Sequence, residues 1–331
     1  MKTHRPILSL TLLAAAALPA WAGVSIDRTS PSIGCGGPPP VAAAHLYSQV
    51  VPAGGCDVGG PGPQLEVARA AFGLVPGDDV DALSANLQWS PNDDFVYVFS
   101  GDRASMGQPA TAYRNQFNRN QAAADLFQTA ALPSATPAAV MAACGAPAMI
   151  APPAPRILNQ TDFNLIFTAG PGAAWMAGNI DNIDAVELDD LDPNNDGIHD
   201  TGIYFSLDPI SPSLWTSPAD IYYAPAGGAF GLFSVPGQIG LGANDNLDAL
   251  VLWDRVIAGA VNPAADYALF SLAPGSPALN GPDGIAGTAD DFSAGDLFVS
   301  DFTGVFCLYT RANQLGLLFQ DNVDGLDVRP W

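Results

Sequence analysis

The chain has 331 residues, 48% of them hydrophobic, with 34 glycines and 30 prolines, and its 33 acids against 11 basic residues give a formal net charge of −22. So much apolar material excludes wholesale disorder, and so many turn residues exclude a bundle of long helices. The charge makes nucleic acid and anionic membrane surfaces poor partners and a cationic surface or extracellular ligand a better one; acidity that merely keeps the protein soluble is the plainer alternative.

Residues 1–22 read as a signal peptide. Lys2, His4 and Arg5 make a short basic start, residues 7–18 are apolar, and Ala20-Trp21-Ala22 fits a small-x-small cleavage pattern. The apolar run is too short for a membrane span, and no cysteine at the cleavage point offers a lipid anchor. The expected product is periplasmic or extracellular, is not inserted in a membrane, starts at Gly23 and contains no lysine.

From Gly23 onward, short strand-like segments alternate with turn-rich loops. Val24-Ser25-Ile26-Asp27-Arg28 comes first, then AAHLY at 43–47 and ARAAF at 68–72. An aspartate motif follows at Asp78-Asp79-Val80-Asp81-Ala82-Leu83, with Phe99-Ser100-Gly101-Asp102-Arg103 and AADLF at 123–127 behind it. An insertion rich in alanine and proline occupies about 129–156. The series then repeats: DNIDAV at 181–186, FSLDP at 205–209, PADIY at 218–222 and FGLFSV at 230–235. A third pass reads DNLDAL at 245–250, FSLAP at 270–274, AGDLF at 294–298 and VFCLY at 305–309. DNVDGL at 321–326 opens a fourth pass that stops at Trp331.

The four aspartate motifs share D-[DN]-[VIL]-D-[AG]-[LV], and Leu74, Leu241 and Leu317 each stand four residues before one of them, with Ala177 before the other. Successive motifs lie 103, 64 and 76 residues apart, and the missing remainder of the fourth unit is supplied by the N-terminus: residues 321–331 and 23–77 together make 66. A unit assembled from both ends is what a closed β architecture uses to remove exposed sheet edges. The expectation is one all-β domain over 23–331, a four-bladed β-propeller of four-stranded blades with the aspartate strand innermost. Irregular β-sandwich repeats are the alternative.

This layout resembles that of hemopexin-like four-bladed propellers, which also start the inner strand with an Asp-Ala pair, follow it with an aromatic strand and close the last blade with both termini. The tryptophan-arginine signature of their third strand is replaced by Phe127, Tyr222 and Phe298. The FSxDR and ADLF…DNIDAL wording is also similar to that of uncharacterised secreted bacterial repeat proteins. Neither resemblance implies a catalytic residue.

Residues 181–209 hold nine acids and no lysine or arginine. Within them Asp192, Asn194, Asp196 and Asp200 form a D-x-N-x-D-G-x-x-D loop, in which side-chain oxygens plus the Ile198 carbonyl could wrap Ca2+ around the turn at Gly197. Ile203 stands where an EF-hand has its glutamate, so an EF-hand is excluded, and the loop looks like those inserted in integrin-type propeller blades. Asp283, Asp290 and Asp291, with Gly281, Gly284 and Gly287, offer a second cage; solvated acidic turns are the alternative for both. Asp81, Asp184, Asp248 and Asp324 would ring one mouth of the channel, either binding a metal or accepting backbone N–H groups in a structural role.

Cys35, Cys56, Cys144 and Cys307 allow three disulfide pairings. Cys35 with Cys56 closes a short loop, which leaves Cys144 for Cys307. Past the leader only His45 and His199 remain, and the chain contains no G-x-S-x-G, H-E-x-x-H or P-loop motif. The expected role is a calcium-binding module, binding or structural; the alternative is a secreted metal-dependent hydrolase acting on glycans or phosphate esters.

Overall fold

The computed structural model describes residues 21–27, 30–31, 46–48, 64–67, 74–75, 77–85, 94–95, 97–109, 112–119, 122–128, 132–133, 156–158, 181–187, 202–225, 229–254, 257–263, 265–315 and 317–329. Among them the protein is mostly strand, arranged as four four-stranded antiparallel sheets and one small two-stranded sheet.

The first sheet joins the two ends of the chain. Its order is β18 (Val323–Arg329), β1 (Trp21–Ile26), β2 (Leu46–Ser48), β3 (Gln64–Val67). The second runs β4 (Ala82–Ala85), β6 (Tyr97–Ser100), β7 (Leu126–Gln128), β9 (Arg156–Leu158), with β5 (Asp94–Phe95) and β8 (Leu132–Pro133) paired beside it. The third is β10 (Ile183–Glu187), β11 (Ile203–Leu207), β12 (Ile221–Ala224), β13 (Gly231–Ser234), and the fourth β14 (Leu247–Trp253), β15 (Tyr267–Leu272), β16 (Leu297–Ser300), β17 (Phe306–Thr310).

Each sheet is a meander that starts from the strand carrying the aspartate motif. β1 pairs with β18 from Trp21↔Arg329 to Ile26↔Val323, so pairing reaches two residues ahead of Gly23. The terminal sheet differs from expectation in one strand: β3 is Gln64–Val67, whereas ARAAF at 68–72 lies outside the described residues. The alternating Gln-Leu-Glu-Val pattern suits a strand better than an alanine-rich segment does.

The recurrent aromatics explain how each meander holds. Phe99 sits opposite Phe127, Phe205 opposite Tyr222 and Phe270 opposite Phe298. Ring centroids in the three pairs are 5.7, 5.5 and 5.8 Å apart at tilts of 35°, 32° and 34°. Such pairs add about 0.5–1.5 kcal/mol beyond the area they bury. In the second sheet Tyr113, on the short helix α1 (Ala112–Phe117), caps the pair at 4.7 Å from Phe127.

Apolar layers separate consecutive sheets. Val98, Leu126, Val186 and Phe205 fill the space between the second and third, Tyr204, Ile221, Leu250 and Phe270 that between the third and fourth, and Ile26, Val251, Leu269 and Leu326 that between the fourth and the terminal sheet. With an apolar layer on both sides, β10 and β11 are buried along their whole length, while the outermost β17 alternates half-buried and exposed residues. The first strands also pack on one another: β10 against β4 and β14, and β18 against β14 and β4. No helix among the described residues is long and apolar enough to cross a membrane.

Candidate functional site

Each aspartate motif contains two conserved-in-repeat acids, at its first and fourth positions, and the structure gives them different surroundings. The first acid closes turns with backbone N–H groups. Asp78 accepts from Val75, Met106 and Gly107 at 2.7–2.8 Å, and Asp245 from Gly242 and Ala278, both at 2.7 Å. Asp181 takes both the N–H and the hydroxyl of Ser213, and Asp321 the N–H of Leu318.

A serine fixes the second position. The hydroxyls of Ser105, Ser211, Ser276 and Ser30 accept the backbone N–H of Asp79, Asn182, Asn246 and Asn322 at 2.6–3.0 Å. Each hydroxyl donates back to the carbonyl of the same residue at 3.1–3.4 Å. The four serines belong to a repeat that was not recognised in the sequence, S-x-[DA]-[RP]-x-S, at 25–30, 100–105, 206–211 and 271–276. It could have been found by extending the second motif two residues.

In three of the four copies the fourth position is aimed by a β-bulge. In β10 the register steps from Ile183↔Leu207 to Ala185↔Ser206, and in β14 from Leu247↔Leu272 to Ala249↔Ser271. In β18 it steps from Val323↔Ile26 to Gly325↔Ser25. Asp184, Asp248 and Asp324 are the extra residues, and a bulge turns such a residue out of the ladder and re-aims its side chain. The next residue is small in every copy because the first strands approach closely there: a Cβ on Gly325 would lie 3.0 Å from Leu83 Cβ.

Aimed this way, the fourth-position acids meet. Asn182 Nδ2 donates to Asp81 Oδ2 at 2.6 Å and to Asp184 Oδ1 at 3.2 Å, bridging two motifs. Asn246 Nδ2 donates to Asp184 Oδ2 at 3.0 Å, and Asn322 Nδ2 to Asp324 Oδ1 and to Asp248. Burial, followed by the charges of Asp102, Asp184 and Asp79, pushes the Asp81 carboxyl well above the usual range. Burial and then Asp248 and Asp208 do the same to Asp184. Asp248 is pushed up to about 7, chiefly by burial, and Asp324 is raised by burial and then by Asp248, Asp79, Asp27 and Asp81. Arg103 offsets this charge at one point, 2.9 Å from Asp208 and close to Asp184.

One corner is richer in acid than the others. Oxygens of Asp27, Asp79 and Asp324 lie within 4.8 Å of one another. At that spacing two carboxylates repel by about 3 kcal/mol at an effective dielectric of about 20, so three held together favour taking up a proton or a cation.

The remaining expected sites lie elsewhere. Asp283, Asp290 and Asp291 gather on an exposed loop around Thr288, whose hydroxyl is 2.7 Å from Asp290 and 3.1 Å from Asp291, and that hydroxyl lowers the Asp290 carboxyl. Asp283 and Asp291 also accept the N–H groups of Ile285 and Gly287. The loop at 192–200, with Asp192, Asn194, Asp196, Ile198 and Asp200, lies outside the described residues, as do His45, His199, Cys35, Cys56 and Cys144. Cys307 is an exposed free thiol on β17.

Sequence reasoning placed Asp81, Asp184, Asp248 and Asp324 together and missed the residues that organise them, Asn182, Asn246, Asn322, Asp79 and Asp27. No protein-family model, curated protein or solved structure matches the chain.

Proposed function

We propose that the four sheets are the blades of a closed four-bladed propeller and that the carboxylate cluster lies in the mouth of its central channel. On this reading the protein is an exported calcium-binding module, binding or structural in role, whose ligand is a cationic surface or an extracellular molecule. Closure is supported by the cyclic packing of β4, β10, β14 and β18 and by the sheet that combines both chain ends.

The observation that carries the cation is the accumulation of eight acids around the first strands, Asp27, Asp79, Asp81, Asp102, Asp184, Asp208, Asp248 and Asp324. Like charges at such density, half of them buried, favour a hard cation with oxygen ligands. A binding role fits a surface whose acids are organised by hydrogen bonds rather than by a nucleophile and its base. The experiment is thermal unfolding of the protein from Gly23 onward in calcium and then in chelator, with metal analysis of the same sample. A calcium concentration about 100 times the Kd stabilises the fold by about 2.7 kcal/mol. Bound metal with a matching rise in Tm supports the proposal; no metal and no shift sink it.

A further inference from the structure

The four motifs are not equivalent at their second position, and the difference localises an ion. Asn182, Asn246 and Asn322 stand there in three copies, and each donates its amide N–H to the acids beside it. In the fourth copy the residue is Asp79, whose side chain has no N–H to give. Its neighbours are also acids: Asp324 of the preceding motif and Asp27 at the end of β1. The corresponding sets at the other three corners are Asp102, Asn182 and Asp81; Asp208, Asn246 and Asp184; and Ala273, Asn322 and Asp248. Only the Asp27–Asp79–Asp324 corner consists entirely of carboxylates.

Calcium oxygens sit about 2.3–2.6 Å from the ion, so two ligands of one ion are at most about 5 Å apart. The three oxygens, within 4.8 Å of one another, meet that limit. A separate observation points to a ligand at the same place. Asp248 is 8% exposed, contacts the Asp324 carboxyl and is charged against Asp27, yet no N–H or hydroxyl reaches its Oδ2. One buried anionic oxygen therefore lies beside the acid corner with coordination capacity to spare.

We infer that a single divalent cation of the calcium class binds off the axis of the four strands, at the corner formed by Asp27, Asp79 and Asp324 and beside the buried carboxyl of Asp248. This rests on the proposed reading of the protein as a cation-binding module and narrows it to one corner. The ion does for the fourth corner what an asparagine amide does for the other three: it places positive charge between neighbouring carboxylates.

The chain itself supplies the two test substitutions. Asp79→Asn installs the residue found at 182, 246 and 322, and Asp27→Ala the residue found at 273, so both side chains already occur in this structural setting. Calcium titration by calorimetry on the folded protein, with magnesium and manganese as comparison ions, reads the stoichiometry. Each variant is expected to bind one ion fewer than the parent, and Asp79→Asn to unfold in chelator at a temperature no lower than the parent's. Unchanged stoichiometry and affinity in both variants overturn the corner site while leaving the cation-binding module standing. A parent that binds no ion overturns both.

Discussion

Asp245 and Asp248 are three residues apart at the start of one strand and occupy opposite electrostatic surroundings. Asp245 lies among backbone N–H groups, which stabilise its charge; Asp248 has been turned by a bulge toward other carboxylates, which oppose it. Both are almost fully buried. Burial alone therefore says little about what an acid contributes, since the dipoles and charges around it decide the sign.

That contrast can be broken most forcefully at the first acid. Asp245→Ala removes a buried, charged acceptor from two backbone donors, and denaturant unfolding should show a loss of about 3–5 kcal/mol. Next comes the pH response without metal. Folded Asp248 keeps its proton up to about pH 7, whereas an unfolded aspartate releases it near pH 3.9. The folded state thus holds the extra proton between those values, so this group's contribution is greatest below about pH 4 and declines as pH rises through 7. A fall of about 2–4 kcal/mol in chelator is expected over that span, readable as a falling Tm, and calcium should reverse most of it. Asp248→Asn should gain about 1–3 kcal/mol in chelator at pH 8, the opposite sign to Asp245→Ala. The smallest effect is expected for Ser276→Ala, which frees the Asn246 N–H and carbonyl and should cost about 1 kcal/mol.

The repeat made much of the fold legible. Because the four aspartate motifs, the aromatic segments behind them and the incomplete last unit could be aligned within one chain, the sheet shared by β18 and β1 was predictable, as was the placing of the aspartate strand first in every sheet. What escaped notice was position-specific chemistry inside the repeat. Writing the second position as aspartate or asparagine treats them as equal turn formers, which they are until their neighbours are known. Once Asp324 and Asp27 stand beside it, an amide donates and a carboxylate repels. The bulge was hidden for a similar reason: one inserted residue leaves the apolar pattern on both sides intact. The serine clamp was in plain view but lies in a loop, where serine is common enough to draw no attention.

The sheet built from both ends of the chain also sets an order of events. Among the described strands β1 is made before all the others and its neighbour β18 after them, so Val24 waits for Leu326 across about 300 residues. Contacts this distant in sequence carry a heavy closure entropy and form late. During synthesis β1 therefore keeps an unpaired edge longer than the other described strands do, and edges of that kind recruit neighbouring chains. The pairing of β18 with β1 therefore acts as a latch on the sheet that the two strands share.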